Sequence, residues 1–145
     1  IDMAIKPDVK GGVDWVEPLP LPQNLPVDDF DYDFLSLQKD DGVEETSDFP
    51  GLIDLSDKFE SIEDTFALIS NLDFVITSCT SIAHMAASQG KKVFVFVPIS
   101  TYYIWCHPTE KSPWYGDNVY ILRQQKPHSW AEPMQELKKL LETHG

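Results

Sequence analysis

The chain has 145 residues, 42% of them apolar, and carries 24 Asp/Glu against 11 Lys/Arg for a formal charge of -13. That length suits one compact domain whose core buries about two-thirds of the unfolded surface, and that charge opposes both nucleic acid and an anionic membrane, so neither is an expected partner. No apolar run approaches the roughly 20 residues of a bilayer span, and Ile1-Asp2-Met3 lacks the basic end and apolar stretch of a signal peptide, so the expectation is a soluble, cytoplasmic chain.

The chain begins with Ile1 and not an initiator Met, and it is read as a piece of something longer. Cys79 and Cys106 are too few for a disulfide framework and have no Cys or His partner at metal-site spacing, which makes them free thiols. Charge is uneven along the chain. Ile1 to Asp64 holds 18 acidic against 4 basic side chains, whereas Phe66 onward holds 6 against 7. An anionic ligand is therefore expected in the C-terminal part.

Ile1 to Asp33 contains Pro7, Pro18, Pro20, Pro22 and Pro26 and is read as an extended, mostly looped segment with some polyproline character. The domain proper is assigned to 34–145. It opens with a short strand across Asp31 to Leu37 and a polar turn, Gln38 to Gly42; Asp48 to Gly51 is a loop and Leu52 to Leu55 a very short strand. Ser61-Ile62-Glu63-Asp64 has the form of a helix start, with Ile62, Phe66 and Ile69 on one stripe and an end near Asn71. Asp73 to Thr77 and Val93 to Val97 are apolar runs without alternation, as in strands covered on both faces of a parallel sheet. Between them Ser81 to Gln89 is a helix that Gly90 ends, which completes a βαβ unit. Tyr120 to Leu122 is a further strand. Ser129-Trp130-Ala131-Glu132 is a capping box for a last helix with Trp130, Met134, Leu137, Leu140 and Leu141 on one side. This alternation predicts a single-domain α/β fold, a doubly wound parallel sheet in three layers, which binds ligands at the carboxyl ends of its strands.

The loop Thr77-Ser78-Cys79-Thr80-Ser81 joins a buried strand to a helix N-terminus, where exposed N–H groups and the helix dipole favour an anion such as phosphate. The alternative is that Thr80 or Ser81 only caps the helix.

The stretch from Ser61 to Trp130 resembles the C-terminal, nucleotide-sugar-binding half of glycosyltransferases with two Rossmann domains, specifically the tetratricopeptide-repeat-linked group related to ADP-heptose heptosyltransferases and O-GlcNAc transferases. The pieces that carry it are Glu63-Asp64-Thr65, Ile69 to Ile76, Cys79 to Ala87, Gly90-Lys91-Lys92-Val93, Pro98, Ser112-Pro113-Trp114-Tyr115 and Leu122-Arg123-Gln124, with Ser36 to Lys39 upstream. The resemblance implies a Rossmann-like domain that is inactive without a missing N-terminal acceptor or repeat domain, which supplies the catalytic base. It implies that Thr80 and Ser81 face the diphosphate of a nucleotide-sugar donor and that Lys39 or Gln38 reaches it from a neighbouring strand end. Cys79 stands where the family frequently has Asp, which puts the role of that Asp in doubt here. No cofactor and no metal are expected, because no Asp-x-Asp follows a strand.

Other candidates have two readings each. His84 either donates to a phosphate or packs as a satisfied side chain. Trp114 and Tyr115 either stack on a base or sugar or pack down a loop. Arg123 pairs with a ligand or with a carboxylate such as Asp117. Cys79, near a helix N-terminus, is a site where a thiol pKa can fall, yet no partnered His and acid make it a nucleophile. A non-catalytic interaction module without nucleotide binding is the alternative function. A nicotinamide dehydrogenase is disfavoured, since no G-x-G-x-x-G follows any strand.

Overall fold

A computed structural model describes residues 3–4, 32–39, 46–47, 49, 51–101, 103–106 and 111–144. Within them the chain is a mixed α/β fold with a small, mostly parallel sheet and three helices. The strands are β1 (Met3–Ala4), β2 (Phe34–Ser36), β3 (Leu52–Asp54), β4 (Phe74–Ser78), β5 (Lys92–Val97), β6 (Lys111–Ser112) and β7 (Gly116–Arg123). The helices are α1 (Ile62–Ser70), α2 (Ser81–Ser88) and α3 (Ala131–His144). A five-stranded sheet runs in the order β1-β4-β5-β7-β6, parallel except for β6, and β2 pairs with β3 in parallel as a separate two-stranded sheet. β1 also lies against β2.

The apolar runs explain the layering. In β5, Val93, Val95 and Val97 face a cluster with Ile69 of α1 and Ala83, Ala86 and Ala87 of α2. Phe94 and Phe96 face the opposite cluster, which holds Leu137 and Leu141 of α3, Trp130 and Phe34. Both faces of β5 are thus dry, which is why its sequence shows no alternation. The expected parallel pairing of Phe74 to Thr77 beside Val93 to Val97 is present, with Phe74 opposite Lys92 and Thr77 opposite Val95.

Helix ends follow local chemistry where the sequence is explicit. Ser61 caps α1 through Asp64 N, and the Asp64 carboxylate accepts from the Ser61 and Glu60 N–H groups, a complete capping box. α2 ends with Gly90 at φ 71°, Gly90 N bonded to Ala87 O and Lys91 N to Ala86 O, so two otherwise orphaned carbonyls are satisfied. Lys91 then reaches back across the sheet. Its ammonium donates to Ser70 O and Leu72 O, both at 2.7 Å, and supplies the charge that the last turn of α1 lacks.

Four expectations change. Ile62 and Phe66 are exposed, at 62% and 36%, while Thr65 and Ile69 are buried. The buried face of α1 is rotated toward Thr65 and Leu68, and Thr65 tolerates burial because its hydroxyl donates to Ser61 O at 3.0 Å. The Ser129 capping box does not form as read. α3 starts one residue later, with Met134 N bonded to Trp130 O; Ser129 N bonds to Lys126 O, and Glu132 pairs with Lys126 at 2.7 Å. The strand expected at Tyr120 to Leu122 extends over Gly116–Arg123. Met3–Ala4, in the segment read as mostly looped, pairs with β4 in the five-stranded sheet. The rest of the proline-rich segment up to Asp31 lies outside the described residues, as does the turn beyond Lys39.

Candidate functional site

Three parallel strands, β4, β5 and β7, end at Ser78, Val97 and Arg123 on one edge of the sheet. The loop leaving β4 is short. Thr80 N bonds to Ser78 O at 2.7 Å, which turns the chain sharply, and Ala83 N bonds to Thr80 O at 3.1 Å as the first bond of α2. Thr80 occupies the N-cap position with extended backbone, yet its side chain makes no cap bond.

Its hydroxyl is engaged elsewhere. Thr77, 1% exposed at the end of β4, donates its one hydroxyl proton to Ser78 O at 3.1 Å. The 3.3 Å contact between the Thr77 and Thr80 hydroxyls therefore has Thr80 as donor. A threonine that would ordinarily cap its helix is held away from it. Ser81, exposed at the first helical position, is the neighbouring hydroxyl open to a ligand.

The remaining candidates divide. Cys79 is partly buried against the α1–α2 side of the core, and burial raises its thiol pKa above the ordinary value. The thiol is thus less readily ionised than a free cysteine, because burial disfavours the thiolate. Gln38 is buried at 7% exposure, with its N–H on Ser36 Oγ. The Lys39 ammonium donates to Phe59 O and sits 4.9 Å from the Phe59 ring centroid, which turns it toward the start of α1.

His84 and Tyr115 are brought together. Nδ1 of His84 lies 2.6 Å from the Tyr115 hydroxyl, and the imidazole packs on Trp105 with ring centroids 5.2 Å apart. Desolvation holds the His84 pKa below its ordinary value. Trp114 is 63% exposed, in the turn at the amino end of β7, and forms an edge-to-face pair with Tyr103. Arg123 donates to Trp105 O, while Asp117 pairs with Lys111 at 3.2 Å. Among the described residues, no group of His, Cys, Asp or Glu is arranged to hold a metal ion, and no helix is long and apolar enough to cross a membrane.

The bond between Thr77 and Thr80 is not legible in the sequence, where both simply belong to the loop that joins β4 to α2. Trp105, which the sequence offers either as crevice lining or as a cover for the sheet edge, is the floor on which His84 rests, 1% exposed. No protein-family model, curated protein or solved structure matches the chain.

Proposed function

We propose that this chain is a Rossmann-like nucleotide-sugar donor-binding domain of a glycosyltransferase, of the tetratricopeptide-repeat-linked kind that its sequence resembles. The diphosphate binds at the N-terminus of α2. Acceptor binding and the catalytic base belong to a separate acceptor domain, so the chain alone has no transfer activity.

One observation carries the reading. β1 pairs with β4 in the five-stranded sheet, while β2 and β3 form a separate two-stranded sheet. The parallel strands β4, β5 and β7 share one carboxyl edge, and in parallel α/β sheets ligands are commonly held beyond the carboxyl ends of the strands. Thr80 and Ser81 follow β4 at that edge, and the first turn of α2 has N–H groups and a positive dipole end to offer a diphosphate. The Ser81 hydroxyl donates directly, and the Thr80 hydroxyl joins if it turns away from Thr77.

Thermal-shift and calorimetric titration of the 145-residue chain with nucleoside diphosphates and nucleotide sugars test this. One nucleoside diphosphate is expected to bind and to raise apparent stability, by about 2.7 kcal/mol at a hundredfold excess over its Kd. Binding by none of them assigns the layer to a non-catalytic interaction module.

A further inference from the structure

We infer that Tyr115 is a positioning residue for the proposed ligand site: its hydroxyl fixes His84 as the tautomer that carries its proton on Nε2, and that N–H donates to the bound diphosphate. The inference rests on the nucleotide-binding reading and adds to it the side chains that set one donor.

Four pieces of chain converge on the His84 ring. The ring projects from α2 and packs on Trp105, which follows β5, with centroids 5.2 Å apart. Arg123, the last residue of β7, donates to Trp105 O and so ties that floor to the carboxyl edge of the sheet. Tyr115, from the turn between β6 and β7, meets Nδ1 at 2.6 Å. The turn is itself braced, because the buried Ser112 hydroxyl accepts from Trp114 N at 3.2 Å and Tyr115 N at 3.3 Å. The hydroxyl that meets His84 is thus held from its own backbone.

The bond has a direction. A 2.6 Å separation is short for an N–H donor and suits an O–H donor, so Tyr115 donates and Nδ1 accepts. A neutral ring that accepts at Nδ1 has its single proton on Nε2, on the far side of the ring from Tyr115. Burial favours that neutral ring, holding the His84 pKa below its ordinary value of 6.5. The role does not depend on titration, since Nε2 carries a proton in the imidazolium as well. Nε2 bonds to none of the described residues and is not sealed from solvent, so its N–H is open to a ligand. Ser81 lies three residues earlier on α2, which puts both side chains on one helix face, and helical side chains lean toward the helix N-terminus. A diphosphate at the first turn of α2 lies on the face that Ser81 and His84 share.

The test is calorimetric titration of the 145-residue chain with UDP, GDP and ADP at pH 8, on the parent and on His84→Asn, His84→Gln, Tyr115→Phe and the double variant His84→Asn/Tyr115→Phe. Gln carries its amide nitrogen near the place of Nε2, whereas Asn reaches only that of Nδ1. Binding of the nucleotide that the parent prefers is expected to weaken about 10- to 100-fold in His84→Asn, as for loss of a donor to a charged acceptor, and at most about threefold in His84→Gln. Tyr115→Phe should weaken it about threefold, and should add nothing once His84 is replaced. Long-range ¹⁵N–¹H correlation spectra are expected to show the parent His84 protonated on Nε2, and a mixture of tautomers in Tyr115→Phe. A parent ring protonated on Nδ1 overturns the inference, as does undiminished binding by His84→Asn or a Tyr115→Phe loss that persists in the double variant. Any of these leaves the diphosphate reading standing, whereas a parent that binds none of the three nucleotides removes both. If His84→Asn does not fold, Tyr115→Phe, which deletes only a hydroxyl, decides by its binding loss together with its ¹⁵N spectrum.

Discussion

Two helix starts in one small protein allow the role of Thr80 to be measured against an internal standard. Ser61 is a working cap: it accepts from Asp64 N at 3.1 Å, and the box is closed by the Asp64 carboxylate. Ser61→Ala removes that acceptor and should cost about 1 kcal/mol, within the range of about 0.5–2 for such caps. Thr80 stands in the same position at α2 but contributes only a 3.3 Å neutral bond to Thr77. Thr80→Ala should therefore cost at most about 0.5 kcal/mol, the low end for a net hydrogen bond. Thr80→Asp should stabilise by about 0.5–1.5 kcal/mol, because a carboxylate there both caps the free N–H groups and favours the positive dipole end.

The assay is urea denaturation of the parent and the three variants at neutral pH, compared by midpoint with a shared slope. Adding the nucleoside diphosphate that binds best separates stability from binding. Thr80→Asp should bind it least of all, since the new charge occupies the place of the anion, even as it is the most stable of the set. A Thr80→Ala loss as large as that of Ser61→Ala would refute the reasoning, for it would mean that the hydroxyl caps the helix in solution.

Lys91→Met removes two charge-assisted bonds to the end of α1 and should cost about 1–2 kcal/mol by urea midpoint, a loss that shrinks in high salt as the dipole contribution is screened. Backbone donation from Glu60 and Ser61 holds the Asp64 carboxyl below its ordinary value of 3.8, so its stabilisation is present above that pH and is lost as pH falls through the lower folded value. Between pH 5 and 2.5 the denaturation midpoint of Asp64→Asn should therefore fall less than that of the parent; equal slopes would remove Asp64 from the acid response. Leu137→Ala, at a fully buried position of α3 facing Phe94 and Phe96, should cost about 2–5 kcal/mol by calorimetry, and a loss below 1 would mean that α3 is not docked on that face.

What was legible in the sequence is what neighbours in the chain decide. Ser61 with Asp64 three residues on, or Gly90 after an alanine-rich helix, states its geometry within one turn, and the unalternated Val93 to Val97 run states its burial on both faces. The stripe on α1 misled because Ile62, Phe66 and Ile69 satisfy the period while Thr65 has a bond to Ser61 O that only the folded turn provides. β1 could not be found at all. Two residues beside a proline-rich segment have no period, and they form a strand only because β4 offers an edge. The long-range contacts are of this second kind: His84 with Tyr115, 31 residues apart, and Lys91 with Ser70, 21 apart. No propensity or cap rule reaches across such separations.

The site itself is where a local rule fails, and the failure has a direction. Of the four ends of α1 and α2, three are satisfied: one by a capping box, one by Lys91, one by Gly90 and Lys91 backbone bonds. The fourth, the start of α2, has a capping residue whose side chain points to Thr77. Closing it needs no new backbone, only an Asp or Asn at position 80, and would add about 1 kcal/mol. A helix start without a side-chain cap at the carboxyl end of β4 is a stability concession, and such concessions are expected where a sequence serves something other than its own fold. On the proposed function, the diphosphate would take the place of the missing side-chain cap at this helix start. The same logic makes Thr77 the residue to watch. Its buried hydroxyl holds Thr80 aside in the empty state, and Thr77→Val should release Thr80 to cap the helix. That variant is expected to be no less stable than the parent and weaker in diphosphate binding, and tighter binding by it would show that Thr77 competes with the ligand for Thr80 and does not keep the helix start open.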